Sequence, residues 1–231
     1  MSVLLLRLAG PMQSWGSASR FARRDTEREP TKSGVLGFLA AAQGRRRTDS
    51  IEDLLDLKFG VRVDQPGAIM QDFHTAHGND GKSMPLTRRF YLSDAVFVAG
   101  IHSDDSALIE SLDQAVRSPV FPLYLGRRSC PPSGQVALGV HPGSLDEALR
   151  SEEWRAATWH RKTLRSRSVM LRIVRDAESG ENGQTQRDLP LSFDPIRREY
   201  GWRTVVEAAP LSVDNEFGYA DYHDPIAELG G

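Results

Sequence analysis

The chain has 231 residues, 39% of them hydrophobic and 26% charged, with 29 Lys and Arg against 31 Asp and Glu. That length suits one large domain or two small ones, able to bury about 70% of the surface the unfolded chain exposes, and the balance of hydrophobicity and charge excludes a disordered chain. The lone Cys130 excludes a disulfide framework and a Cys-rich zinc module, and the longest apolar-or-Gly run, Val35–Ala42, is far short of the ~20 residues of a membrane span.

Val3–Leu6 has no basic region before it and Arg7 interrupts it, unlike a signal peptide. A cytoplasmic protein with no membrane contact is expected. The net charge of −2 is unevenly spread. Residues 1–47 hold nine basic and three acidic side chains, and residues 150–175 hold eight and two. From Thr204 onward there are six acidic residues and no Lys or Arg. Basic stretches beside an acidic tail point to a polyanion partner, or to solvated faces that pair with one another.

In chain order, Ser2–Ala9 reads as a buried strand ended by Gly10-Pro11. Met12–Thr31 reads as a long basic loop. A helix is expected from Ser33 to Gln43, capped by Thr31 or Ser33 and ended by Gly44. Ser50 opens a short helix through Leu57, and Phe59, Val61 and Val63 then alternate with polar positions or Gly as in a strand. Ala68–His77 and Lys82–Leu92 flank Gly78-Asn79-Asp80-Gly81, a hairpin signal. Asp94–Ile101 has the composition of a buried strand, and Asp104 or Asp105 caps a helix to Arg117. Pro119–Leu125 is expected to be the next strand.

This order is the βαββαβ plan of α+β, ferredoxin-like folds, shared with the RNA recognition motif. A palm over residues 1–134 would carry a thumb hairpin at about 68–92. Residues 135–231 would form a smaller β-rich subdomain with the acidic tail. Within it, Val136–Val140, Val169–Val174 and Ile196–Val206 are possible strands, and Leu145–Arg150 a short helix.

Thr31-Lys32-Ser33-Gly34 at a helix start combines free amides, a Gly and a Lys, which suits an anion as well as a plain cap. Gly126-Arg127-Arg128-Ser129 offers two guanidiniums and a hydroxyl to phosphates, or is an exposed turn. Trp15 in the basic loop either stacks on a base or anchors the loop by burial. His74 and His77 stand three apart in an extended stretch, which puts them on opposite faces, and no metal-ligand motif is present, so no metal or cofactor is expected. Asp72, His74, His77 and Tyr91 could support RNA cleavage by general acid–base steps, or be ordinary polar hairpin residues. Cys130, followed by two prolines and without a partner base, is a poor nucleophile.

Four blocks then resemble one family in its order. They are Leu6-Arg7-Leu8-Ala9-Gly10-Pro11-Met12-Gln13-Ser14-Trp15-Gly16, Pro30-Thr31-Lys32-Ser33-Gly34-Val35-Leu36-Gly37, Asp72-Phe73-His74-Thr75 and Tyr124-Leu125-Gly126-Arg127-Arg128-Ser129-Cys130-Pro131. Together they are similar to the CasD family, a RAMP-type subunit of the type I-E CRISPR Cascade complex. The resemblance implies a protein that holds the five-prime handle of the crRNA, caps the CasC backbone and meets CasA, and touches target DNA only through the assembled complex. It further implies handle contacts at Gln13, Ser14 and Trp15, at Thr31, Lys32 and Ser33, at Arg127, Arg128 and Ser129, and in the thumb at His74, Thr75, Arg88 and Arg89. Relatives of another subtype cut precursor crRNA with a Tyr near the first helix and a Lys-His pair. Neither is present here, so binding without catalysis is expected, with a metal-independent precursor-crRNA ribonuclease as the alternative.

Overall fold

The computed structural model describes residues 1–16, 23–75 and 77–219. In chain order the elements are β1 (Ser2–Ala9), β2 (Met12–Gln13), β3 (Arg23–Arg24), α1 (Lys32–Ala42), α2 (Glu52–Leu55), β4 (Lys58–Gln65), β5 (Ala68–His74), β6 (Thr87–Ser93) and β7 (Val96–Ser103), then α3 (Ser106–Arg117), β8 (Ala137–Pro142), α4 (Leu145–Ser151), α5 (Thr158–Thr163), β9 (Ser168–Asp176), β10 (Gln184–Ser192) and β11 (Glu199–Asp214). Among the described residues no helix is long and apolar enough to cross a membrane.

Seven strands form one antiparallel sheet in the order β10-β11-β9-β4-β7-β1-β8. Within it, β8-β1-β7-β4 with α1 and α3 is the expected ferredoxin-like βαββαβ unit. Side chains alternate across β1, and both faces are covered. Leu4, Leu6 and Leu8 meet Leu36 and Leu39 of α1 and Leu112 of α3, while Val3 and Leu5 meet Leu145 and Leu149 of α4. Burial on both sides explains why β1 reads as a continuous apolar run rather than an alternating one. It also means that α4 occupies part of the face on which an RNA recognition motif would stack bases.

Thr31 caps α1, its hydroxyl accepting the Gly34 N–H at 3.2 Å, and Asp105 caps α3 through the N–H groups of Ala107 and Leu108. The expected strand at Pro119–Leu125 is absent. Pro119 and Pro122 lack donors, and the N–H groups of Val120 and Phe121 instead bond the Ala42 and Ala41 carbonyls at the end of α1, the second shared with the Gly44 N–H. The fourth palm strand is β8, which starts beyond Gly134 and pairs with β1. Strands β9 and β11 are longer than expected, β10 is an additional strand, and all three continue the palm's own sheet outward from β4.

The hairpin forms as expected, in register from Ala68 opposite Ser93 to His74 opposite Thr87, with an isolated bridge His77–Ser83 toward its tip. It belongs to a second sheet in which β6 is flanked by β2, β3 and β5. The chain reverses into it at Gly67, where φ is +69° and a Cβ would lie 2.5 Å from the Ser93 carbonyl oxygen. At the thumb's root, Arg62 is wholly buried. Its guanidinium donates to both Asp64 oxygens and to the Leu149, Glu152 and Glu153 carbonyls, so α4 and the chain after it are bolted to β4. Burial pushes the Asp64 carboxyl up, against the pull of Arg62.

Candidate nucleic-acid interface

The three loop blocks singled out in the sequence converge at one end of the palm. The Ser14 N–H donates to the Leu125 carbonyl at 3.0 Å, and the 125–130 loop closes on itself through Leu125 N–H to Cys130 O and Cys130 N–H to Arg127 O. Gly126 has a φ of +83°, and a Cβ on it would sit 1.7 Å from the Ser14 carbonyl oxygen. A Cβ on Gly34 would meet the Trp15 ring at 2.8 Å. The Gly residues of the blocks are thus the points where the backbones touch.

Six of the candidate side chains face inward. Trp15 is wholly buried, and its Nε1 donates to Gln13 Oε1 at 3.0 Å. Gln13 is also wholly buried and donates to the Leu8 and Ala95 carbonyls, and the Ser14 hydroxyl donates to Phe90 O. Of the two alternatives for Trp15, burial as an anchor is therefore the one the fold adopts, and its ring has no face free for a base. Thr31, Lys32 and Ser33 are buried as well.

The helix start does bind an anion, but one from the chain itself. Asp188 of β10 accepts the Lys32 backbone N–H at 2.8 Å, and Lys32 Nζ pairs with Asp176 at 2.9 Å. Arg203 completes the network, donating to both Asp188 oxygens and to Asp176. Burial draws the Arg203 guanidinium down, yet the two carboxylates outweigh it and hold its pKa above the ordinary value. Two cations and two anions satisfy one another here, so Lys32 has no charge to offer a phosphate.

The outward-facing candidates gather around β6. Arg88 is exposed and Arg89 half-buried, and β3 runs parallel beside them with Arg23 opposite Arg88 and Arg24 opposite Arg89. Arg127 reaches into the same place, its guanidinium 4.7 Å from the Tyr91 ring centroid and donating to the Arg24 carbonyl at 2.9 Å. Arg128 and Ser129 beside it are exposed. Arg23 is paired with Asp25, whereas Arg24, Arg88, Arg89 and Arg128 make no ion pair among the described residues. Among the described residues, Arg89 Nε has no hydrogen-bond partner. Such a row of unpaired guanidiniums is the chemistry of phosphate recognition. Arg23 and Arg24 are not among the candidates the sequence offers. Their only sequence signal is an Arg pair in the basic loop, and the parallel pairing with β6 is what places them.

His74 and Thr75 are exposed further out on the thumb, and His74 Nε2 lies 2.8 Å from Asp72 Oδ2. The cleavage set does not assemble. Tyr91 is buried beneath Arg127 opposite Met70, four residues from His74 along β5, which is about 13 Å. His77 sits toward the tip, near Ser83. Cys130 is buried, and burial pushes its thiol up, opposite to what a nucleophile needs. Among the described residues, no group of three or more His, Cys, Asp or Glu could hold a metal ion.

Residues 3–206 match the family model described as CRISPR-associated protein (Cas_Cas5). The CRISPR system Cascade subunit CasD of Escherichia coli (strain K12) is 38% identical over 159 residues, covering 60% of this chain and 71% of that one. Among solved structures, a chain of a CRISPR RNA-guided surveillance complex superposes with a TM-score of 0.75 at 31% identity, over 98% of this chain and 97% of its own. A structure described as a Cas protein gives 0.70 at 37%, over 94% and 97%. The resemblance carried by the four motif blocks is borne out, and the match runs through palm, thumb and into β11: the chain belongs to the Cas5 family of CRISPR-associated proteins.

Proposed function

We propose that this chain is the non-catalytic, crRNA-holding subunit of a type I-E Cascade surveillance complex in the cytoplasm. In this reading it grips the five-prime handle of the crRNA, caps the CasC filament and meets CasA. It touches target DNA only through the assembled complex. The observation that carries the reading is the set of guanidiniums around β6, Arg24, Arg88, Arg89 and Arg128, which make no ion pair among the described residues. The likeness to a Cascade subunit and to a chain of an RNA-guided complex supports it.

The candidate residues take two roles. Arg88, Arg89, Arg128 and Ser129 contact phosphates, with His74 and Thr75 along the thumb and Arg23 and Arg24 beside it. Gln13, Ser14, Trp15, Thr31, Lys32 and Ser33 hold the loops in place from inside, and Arg127 locks β3 to the 125–130 loop. Shape and phosphate spacing, rather than base edges, are what a row of Arg side chains reads.

The test is to incubate the purified chain with labelled repeat RNA in EDTA across a salt series, then run native and denaturing gels side by side. A salt-sensitive shift with intact RNA is expected. A discrete cut inside the repeat would overturn the non-catalytic reading in favour of a metal-independent ribonuclease.

A further inference from the structure

A second basic stretch has no part in the surface described above. Helix α5 and residues 164–167 stand at the sheet end where β4 stops and the thumb departs, because β9 runs antiparallel to β4 and begins at Ser168, opposite Asp214 of β11. The segment is anchored from several sides. Trp154 Nε1 donates to the Asp64 carbonyl at 2.9 Å, and the Ala157 N–H donates to Gln65 Oε1 at 3.1 Å. The buried Asn215 side-chain amide lies within hydrogen-bond distance of the Arg161, Leu164 and Ser166 carbonyls. Arg161 lies 5.7 Å from the Trp154 ring centroid and 5.9 Å from that of Phe217 and pairs with Glu216, so its charge is used internally.

What this frame presents outward is an aromatic among cations. Trp159 is 56% exposed, held edge-on to His160 with ring centroids 5.7 Å apart. Lys162, Arg165 and Arg167 are exposed and make no ion pair among the described residues. An exposed indole beside three cations without ion pairs, of which Lys162 alone leans on a ring (5.3 Å from the Phe217 centroid), contributes little to folding, since the indole is more than half in water and the cations repel. A flexible polyanion with flat, unstacked faces satisfies both features at once. We infer that α5 and the 164–167 loop form a second contact for single-stranded RNA, with Trp159 stacking a base and Lys162, Arg165 and Arg167 meeting phosphates.

This inference rests on the reading of the chain as an RNA-holding subunit and extends it. Gln65 ties the segment to the base of the hairpin, accepting the Ala157 N–H before α5 and donating to the Asp94 carbonyl just past β6, five residues along the chain from Arg89. An RNA leaving Arg88 and Arg89 toward the base of the hairpin, about 17 Å along β6, would thus approach α5 at the same end of the sheet. The RNA would be held at two points with fixed spacing.

The experiment uses the full chain with labelled single-stranded repeat RNA. Ultraviolet crosslinking followed by peptide mapping is combined with binding over a salt series for the wild type, Trp159→Ala, Trp159→Phe and the triple change Lys162→Ala, Arg165→Ala, Arg167→Ala. The expected results are an adduct on the peptide bearing Trp159, about tenfold weaker binding for Trp159→Ala with recovery in Trp159→Phe, and a salt slope shallower by about 2 in the triple variant. Wild-type binding with adducts only elsewhere and unchanged variants would overturn this inference alone. A wild-type chain that retains no RNA would overturn it together with the reading it rests on.

Discussion

The backbone N–H of Lys32 donates to the Asp188 carboxylate at 2.8 Å across 156 positions of sequence. The first turn of α1 therefore already holds an anion, and the Lys32 ammonium is spent on Asp176. A motif whose local chemistry reads as a phosphate site is, in the folded chain, the joint between the palm and its C-terminal strands. Charges left for a partner stand elsewhere, on β6, β3 and the loop after Gly126, and on residues 162–167.

Removing Asp188 tests the joint. Asp188→Ala leaves Arg203 and Lys32 sharing Asp176 in a buried place, and breaking such a pair costs roughly 3–5 kcal/mol. Urea unfolding is expected to show that loss. Asp188→Asn, which retains an acceptor for the Lys32 N–H, is expected to lose less. Equal stability of Asp188→Ala and the wild type would mean that water replaces the carboxylate.

The two kinds of basic residue separate in a salt series. Replacing Arg88, Arg89 and Arg128 by Ala should leave the melting temperature nearly unchanged and flatten the log-affinity slope by about 0.7 for each phosphate that is no longer neutralised. Lys32→Ala should do the reverse, lowering stability while the folded fraction keeps the wild-type slope. A flattened slope for Lys32→Ala would return the helix start to the RNA surface.

Legibility in the sequence follows the range of the interactions. Capping is local, so Thr31 and Asp105 are readable from a few neighbours. The Gly78–Gly81 turn between two extended stretches is equally local, and the thumb is found from it. Pro119–Leu125 misleads because its apolar residues resemble a strand, whereas its backbone caps the end of α1, and exposed Val120 and Phe121 belong to no ladder. β8 has the weaker pattern, and its place beside β1 is set by pairing rather than composition. The burial of Trp15 depends on the missing Cβ at Gly34, and the fate of Lys32 depends on β9 and β10, neither visible in a short window of sequence. The motif positions are legible. Which of them face outward is not, because partners outside the motif decide it, 82 positions away for Gln13 and 144 and 156 for Lys32.

Gly126→Ala strikes the contact between two of the motif blocks. The new Cβ would fall 1.7 Å from the Ser14 carbonyl oxygen, and the φ of +83° is itself strained for Ala. Both conflicts involve backbone, which cannot rotate away as a side chain can, so the loop must shift at a cost of about 2–4 kcal/mol. A thermal melt should show the loss, and RNA retention should fall with it because Arg127 and Arg128 move together with the loop. Wild-type stability would show that the 10–16 segment gives way freely.

Acid unfolding should reveal the Glu181–Arg175 bridge. Glu181 accepts both terminal nitrogens of Arg175 and the Glu178 N–H, and these bonds hold its carboxyl down to about 2 from an ordinary 4.5. A depressed carboxylate stabilises the fold above its unfolded pKa, and that contribution fades as pH falls from 4.5 toward 2. The wild type should therefore exceed Glu181→Gln in urea midpoint at pH 7, with the gap closing near pH 2. A gap that persists at the lowest pH would assign the effect to packing instead of charge.

The thumb gives the last test. Its ladder from Ala68 to His74 is rooted in the palm through β2 and β3, which also pair with β6, whereas the described residues of the outer part are joined by local contacts, the His77–Ser83 bridge, the turn at Gly78–Gly81 and the Asp80–Lys82 pair. Phe73, Met84 and Leu86 are all more than half exposed there, so the outer hairpin buries little of its own apolar surface. Cutting residues 76–85 down to a short turn should then leave the melting temperature nearly unchanged. Assembly with the other subunits and crRNA, read by size-exclusion chromatography after coexpression, should fail or yield a particle that loses this chain. Normal assembly by the shortened chain would confine the thumb's role to the β5–β6 ladder, where Arg88 and Arg89 are. Loss of stability on its own would mean that the outer strands support β6 and, through it, the buried Tyr91 beneath Arg127.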